Sequence, residues 1–143
     1  MDGSDPIEQF VRAWVRTYTE GRLDDAMACY TTDVRFEDPI FGERVDGREA
    51  LREAFATFFT SGVTRLRFVR WTGGEQGGAV EWEWTATWGP GRTFLGHDCS
   101  NRRFVTRGVS VLALRDGAIC RQTDYWDLRA VLRQLGVPIA AGA

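Results

Sequence analysis

The chain has 143 residues, 43% hydrophobic and 27% charged, with a formal net charge of −2. That length suits one domain around one core. The slight acidic balance excludes a protein that works by gripping phosphate backbones, which needs a surplus of Lys and Arg. The local basic spots, Arg65, Arg67 and Arg70 and then Arg102, Arg103 and Arg107, read as solvated strand edges or loops. Cys29, Cys99 and Cys120 are odd in number and lack metal-ligand spacing, so neither a disulfide framework nor a metal site is expected. No apolar run approaches the roughly 18 residues of a membrane span. The acidic, polar start lacks the basic and apolar regions of a leader. A cytoplasmic protein with no membrane or nucleic-acid partner is the expectation.

Asp5-Pro6 predicts a helix start, an N-cap followed by proline in the first turn. Ile7, Phe10, Val11, Trp14, Val15 and Tyr18 then repeat at helical spacing, and Gly21 is placed to end the helix. A second, shorter helix carries Leu23, Ala26, Met27 and Tyr30 on one face. Val34 to Asp38 reads as a short strand ended by Pro39. Asp46-Gly47 opens a third helix with Ala50, Leu51, Ala54, Phe55, Phe58 and Phe59 on its apolar side, closed by Gly62.

The rest predicts an antiparallel meander. Thr64 to Trp71 is a strand, followed by a turn rich in glycine from Gly73 to Gly78. Ala79 to Trp88 alternates most cleanly, with Trp82, Trp84, Ala86 and Trp88 on one face. A loop from Gly89-Pro90-Gly91 holds His97, which reads as a surface residue. Phe104 to Leu114 and Ala118 to Trp126 are two further strands joined by the hairpin turn Arg115-Asp116-Gly117. Asp127 caps a C-terminal helix with Leu128, Val131, Leu132 and Leu135, stopped by Gly136 and Pro138. Ala140 to Ala143 reads as a loose tail. Helices first and strands later imply α+β.

Two carboxylates carry the chemical interest. Alternation puts Asp38 on the face of Val34 and Phe36, and Asp124 on the face of Ala118, Cys120 and Trp126. A carboxylate facing an apolar interior has its pKa raised, which makes it a candidate acid or base. Plainer roles stand beside this one. Asp38 could be a strand-end carboxylate held by backbone N–H groups, and Asp124 could pair with an arginine such as Arg121. Alternation turns Arg121 away from Asp124 unless a bulge resets the count. Trp82, Trp84 and Trp88 are either core or cavity lining, with Trp14 and Trp126 closing the same pocket. Tyr30 and Ser110 are its candidate neutral hydrogen-bond donors.

The run from Tyr30 to Pro39, with Phe36-Glu37-Asp38-Pro39 at its end, is followed by Gly47-Arg48-Glu49 and resembles the nuclear transport factor 2-like superfamily. So do the turn at Arg115-Asp116-Gly117, the ending Asp124-Tyr125-Trp126-Asp127-Leu128-Arg129, and Leu132 to Gly136. The resemblance implies a single cystatin-like domain over 1–143. In it a curved, mixed or antiparallel sheet forms a cone-shaped barrel around three N-terminal helices, with a short C-terminal helix behind. Three enzyme branches bear on activity. In the ketosteroid isomerases the residue matching Asp38 moves a proton beside a carbonyl; here Trp14 stands where their oxyanion tyrosine would, and Ser110 falls near the place of their protonated acid. In the limonene epoxide hydrolases the residue matching Asp124 belongs to an Asp-Arg-Asp set; here Trp84 and Ala86 occupy the Arg-x-Asp strand. SnoaL-like polyketide cyclases use an acid in an aromatic pocket without a cofactor.

The combined expectation is a cofactor-independent, metal-free cyclase or isomerase acting on a small apolar molecule of polyketide or terpenoid type. Asp124 is its principal acid/base and Asp38 its second carboxylate. Limonene-type epoxide hydrolysis and a non-catalytic ligand-binding module are the alternatives. The resemblance further implies a homodimer paired through the outer sheet face, where Arg107, Val109 and Val111 lie opposite Ser110.

Overall fold

The computed structural model describes residues 5–60, 63–88 and 93–138. Helix α1, Pro6–Glu20, starts where Asp5 accepts the Ile7 N–H at 2.9 Å and ends at Gly21, whose φ of 66° suits glycine. Val11, Trp14, Val15 and Tyr18 are its buried stripe. Helix α2 spans only Leu23–Met27. Tyr30, expected on that helix, instead begins strand β1, Tyr30–Asp38. The reason is long-range: the Ile119 N–H donates to the Cys29 carbonyl at 2.8 Å and pulls this segment into the sheet.

A short strand β2, Glu43–Asp46, pairs antiparallel with β1. The sequence hides it, because Glu-Arg-Val-Asp is largely exposed and offers one apolar residue. Helix α3, Arg48–Thr60, follows; the Phe58 side chain and Gly62 lie outside the described residues. The long strands are β3, Val63–Gly74, and β4, Gly77–Thr87. After them a two-stranded ribbon, β5 (Thr93–Phe94) and β6 (His97–Asp98), holds the exposed His97. Strands β7, Arg103–Arg115, and β8, Ala118–Trp126, come next, followed by helix α4, Leu128–Leu135. Gly89 to Gly91 and Ala140 to Ala143 lie outside the described residues.

The six main strands run in the order β2-β1-β8-β7-β4-β3, curving without closing. Every pairing is antiparallel except β1 with β8, which is parallel. The α+β cone expected from the sequence is therefore present. Helix α1 packs on β3 and α3 on β1, so the concave face is roofed by α1 and α3. Where β8 ends, Gln134 of α4 takes over from it, hydrogen-bonding both the N–H and the carbonyl of Val105 at 2.8 Å.

A register shift near Cys120 changes the reading of β8. Ile119, Gln122 and Trp126 are buried, whereas Arg121 and Tyr125 are exposed. Asp124 therefore shares its face with Gln122 and Trp126; the expected partner Cys120 belongs to the strand before the bulge, where its thiol reaches the Ala113 carbonyl. Among the described residues, no helix is long and apolar enough to cross a membrane.

Candidate functional site

The roofed concave face encloses a cavity of about 220 Å³. Among the described residues eight aromatic side chains line it, including Trp14 and Tyr18 from α1, Phe55 from α3, Trp82 and Trp84 from β4, and Trp126 from β8. Its polar lining is Asp38, Glu43, Ser110, Gln122 and Asp124. Phe41 and Glu43 stand exposed at its rim, with Phe41 stacked edge-on against Trp126 at 5.2 Å.

The sheet register explains why these residues meet. On β7, Ser110 lies directly opposite Asp124 of β8, so both side chains rise from the same face. Gly108 faces Trp82 of β4 on one side and Trp126 of β8 on the other. A Cβ there would sit 2.4 Å from the Trp82 ring and 2.8 Å from the Tyr125 carbonyl oxygen, so this glycine is the floor on which Trp82 rests. Across the parallel seam, Glu37 pairs with Thr123. Asp38 and Asp124 each come one residue later, which brings the two acids onto neighbouring strands although 86 positions separate them.

Asp124 is gripped from two sides. The Ser110 hydroxyl donates to Oδ1 at 2.6 Å, and Gln122 Nε2 reaches Oδ1 and Oδ2 at 3.0 and 3.1 Å. Behind them stands a second layer. Trp82 Nε1 donates to Ser110 Oγ at 3.0 Å, and Tyr30 Oη donates to Gln122 Oε1 at 2.6 Å. With its own proton committed, Tyr30 accepts from Trp14 Nε1 at 3.1 Å and from Tyr18 Oη at 3.3 Å. Burial pushes both tyrosine hydroxyls up, so they stay neutral and serve as hydrogen-bond partners.

Burial also pushes Asp124 up, to about 6, and the nearby Asp38 adds to the rise, while the hydrogen bonds from Ser110 and Gln122 oppose it. No arginine is among its hydrogen-bond or ion-pair partners in the described residues; Arg121 points outward to Glu37 at 3.5 Å. Asp38 is held differently. Its Oδ1 accepts the backbone N–H groups of Ile40 and Phe41 at 3.0 and 3.4 Å, and its Oδ2 accepts Trp126 Nε1 at 3.1 Å. It thus fits the description of a strand-end carboxylate held by backbone groups, and lines the cavity as well.

Of the residues singled out in the sequence, Asp38, Asp124, Trp14, Trp82, Trp84, Ser110 and Trp126 line one cavity. Tyr30 and Trp88 do not. Tyr30 is buried one layer behind, and Trp88 packs against Phe94 and Phe104 at 5.8 and 5.5 Å. Asp127 caps α4 by accepting the Ala130 N–H at 3.0 Å. Sequence reasoning missed Gln122. A glutamine two residues before an inward aspartate is a signal, since alternation puts Gln122 on the face of Asp124 and Trp126. Among the described residues, no three His, Cys, Asp or Glu side chains converge as metal ligands would.

The site is thus an acid-bearing aromatic cavity in a cone of α+β structure. Residues 11–122 match the SnoaL-like domain family, and the chain belongs to that family, within the nuclear transport factor 2-like superfamily. No curated protein matches it in sequence. Among solved structures it is similar to a putative polyketide cyclase from Xanthomonas campestris pv. campestris, at 22% identity and a TM-score of 0.77, covering 90% of this chain and 96% of that one. It is also similar to a putative SnoaL-like polyketide cyclase from Jannaschia sp. CCS1, at 22% identity and a TM-score of 0.73, covering 97% of this chain and 100% of that one. A third similarity is to SalBIII, an epoxide hydrolase/cyclase-like enzyme in pyran ring formation in the polyether salinomycin, at 22% identity and a TM-score of 0.71, covering 87% and 92%. At these identities the likeness is one of fold.

Proposed function

We propose that the protein is a cofactor-independent cyclase or isomerase, with Asp124 as its acid/base, acting on a small, mostly apolar molecule in the aromatic cavity. The observation that carries this reading is Asp124 itself, a carboxyl pushed up to about 6 by burial, facing a ligand-sized cavity. Such a group changes protonation state readily near neutral pH. As a carboxylate it can take a proton from a substrate O–H or activated C–H. As the resulting acid it can return that proton to an oxygen or carbon elsewhere on the same molecule. The cycle leaves the enzyme unchanged, which suits ring closure or isomerisation. Ser110 and Gln122 hold the carboxyl in place, and Asp38, fixed by three N–H donors, is the second carboxylate. The cyclase descriptions of the similar structures support the same reaction class.

The test is turnover of polyketide, hydroxy-epoxide and terpenoid substrates by the protein and by Asp124→Asn. Conversion by the parent chain that survives Asp124→Asn unchanged would refute the assignment. We also propose that two copies pair through the outer sheet face, where Val105, Val111 and Tyr125 are exposed.

A further inference from the structure

We propose that the ligand of this cavity enters as a small organic cation, a protonated amine on an apolar ring, with its N–H donated to Asp124. This rests on the reading of the cavity as a ligand site and adds the polarity and charge of what fills it.

The argument is an inventory of hydrogen-bonding capacity. The indole N–H groups of Trp14, Trp82 and Trp126 are committed to Tyr30, Ser110 and Asp38. The Ser110 hydroxyl and the Gln122 amide nitrogen are committed to Asp124. These donors point into the wall, not into the space. What these groups leave open is acceptor capacity on Asp124. Among the described residues Asp124 Oδ2 takes only the Gln122 amide, and an ionised carboxylate oxygen has lone pairs for a second donor. Against an ionised Asp124, a ligand bringing only acceptors is the poorer match.

Charge points the same way. Asp38, Glu43 and Asp124 line the cavity, and no Lys, Arg or His does so among the described residues. Its remaining walls are largely aromatic faces, whose quadrupoles attract a cation and repel an anion. Apolar substituents on the nitrogen would meet the indoles of Trp84 and Trp126, whose ring centres lie 5.6 Å apart and whose planes cross at 82°. Size sets the scale. A cavity of about 150 Å³ admits a benzene ring, so one of about 220 Å³ takes a six-membered ring with a short amine arm.

The experiment uses three near-isosteric probes at about pH 8, above the value of about 6 to which Asp124 is raised: benzylammonium, benzyl alcohol and ethylbenzene. Binding is read by tryptophan fluorescence and by shifts of the indole N–H signals. Benzylammonium is expected to bind at least about tenfold tighter than ethylbenzene, with benzyl alcohol between them. Asp124→Asn should remove most of that advantage while leaving ethylbenzene binding in place. Trp84→Leu, which keeps all three carboxylates, should weaken benzylammonium more than ethylbenzene. Ethylbenzene binding as tightly as benzylammonium, an advantage that survives Asp124→Asn, or no saturable binding of benzylammonium would each overturn the proposal. Because these are binding measurements, loss of the cation preference leaves the turnover test of Asp124 standing, and loss of turnover leaves the preference standing.

Discussion

Gln122 holds Asp124 by both carboxylate oxygens, and Tyr30 fixes which way round Gln122 sits. With the Tyr30 hydroxyl donating 2.6 Å to Oε1, the amide nitrogen has to face Asp124. A buried phenol that does not line the cavity thereby sets the hydrogen bonds of the group proposed to do the chemistry.

Tyr30→Phe removes this lock. It leaves Gln122 Oε1 and Trp14 Nε1 without partners in a buried layer, at a cost of about 1–3 kcal/mol. Freed to turn, Gln122 no longer supports the charged form of Asp124. The Asp124 carboxyl signal should then titrate at higher pH than in the parent chain, as read by carbon-detected NMR. A purely structural role for Tyr30 predicts the stability loss without the titration shift.

Asp124 should make the fold less stable as pH rises. Its ordinary value is 3.8 and burial raises it to about 6, so the folded chain binds this proton more tightly than the unfolded chain does. The contribution is most favourable below about pH 4 and declines as pH climbs to about 6, a change of about 3 kcal/mol. Asp124→Asn removes the buried charge. The variant should exceed the parent in stability by about 1–3 kcal/mol at about pH 8, with the gap closing at about pH 4. Urea unfolding at the two pH values measures it, and an equal difference at both would contradict the burial argument.

Asp38 should report mainly in stability. Its carboxylate satisfies two backbone N–H groups and the Trp126 indole. Asp38→Ala strands all three and should cost about 2–4 kcal/mol. Trp126 should also loosen, visible as a shifted indole N–H resonance.

Gly108→Ala tests the floor of the cavity. The added methyl collides with the Trp82 ring and with the Tyr125 carbonyl, and strain of about 1–3 kcal/mol is expected. A displaced Trp82 cannot keep its hydrogen bond to Ser110, so any activity should fall further than the stability loss explains.

Val111→Glu tests the pairing of two copies. Val111 is 44% exposed on the outer face, so the change should scarcely affect folding. A buried glutamate at a dimer seam would shift sedimentation toward the monomer.

Much of this arrangement could be read from the chain, because it depends on local rules. The α1 cap at Asp5, the stop at Gly21 and the alternation that turns Trp82, Trp84 and Ser110 inward all follow from side-chain chemistry or a period of two. What escaped depends on distant pairing. Strand β2 lacks an apolar pattern because only its backbone is needed. Tyr30 left the helix because β8 claimed its neighbour. Gln122 went unnoticed because the group that pairs its buried amide, the Tyr30 hydroxyl, lies 92 positions away in the chain.

The parallel seam between β1 and β8 has a consequence for biogenesis. One acid lies in the first strand and the other in the last, so a ribosome-bound chain has no cavity until residue 126 has emerged. Joining strands so far apart in sequence is the entropically slow part of folding. A ligand seated against both acids would clasp β1 and β8 together, so it should slow unfolding more than it speeds folding.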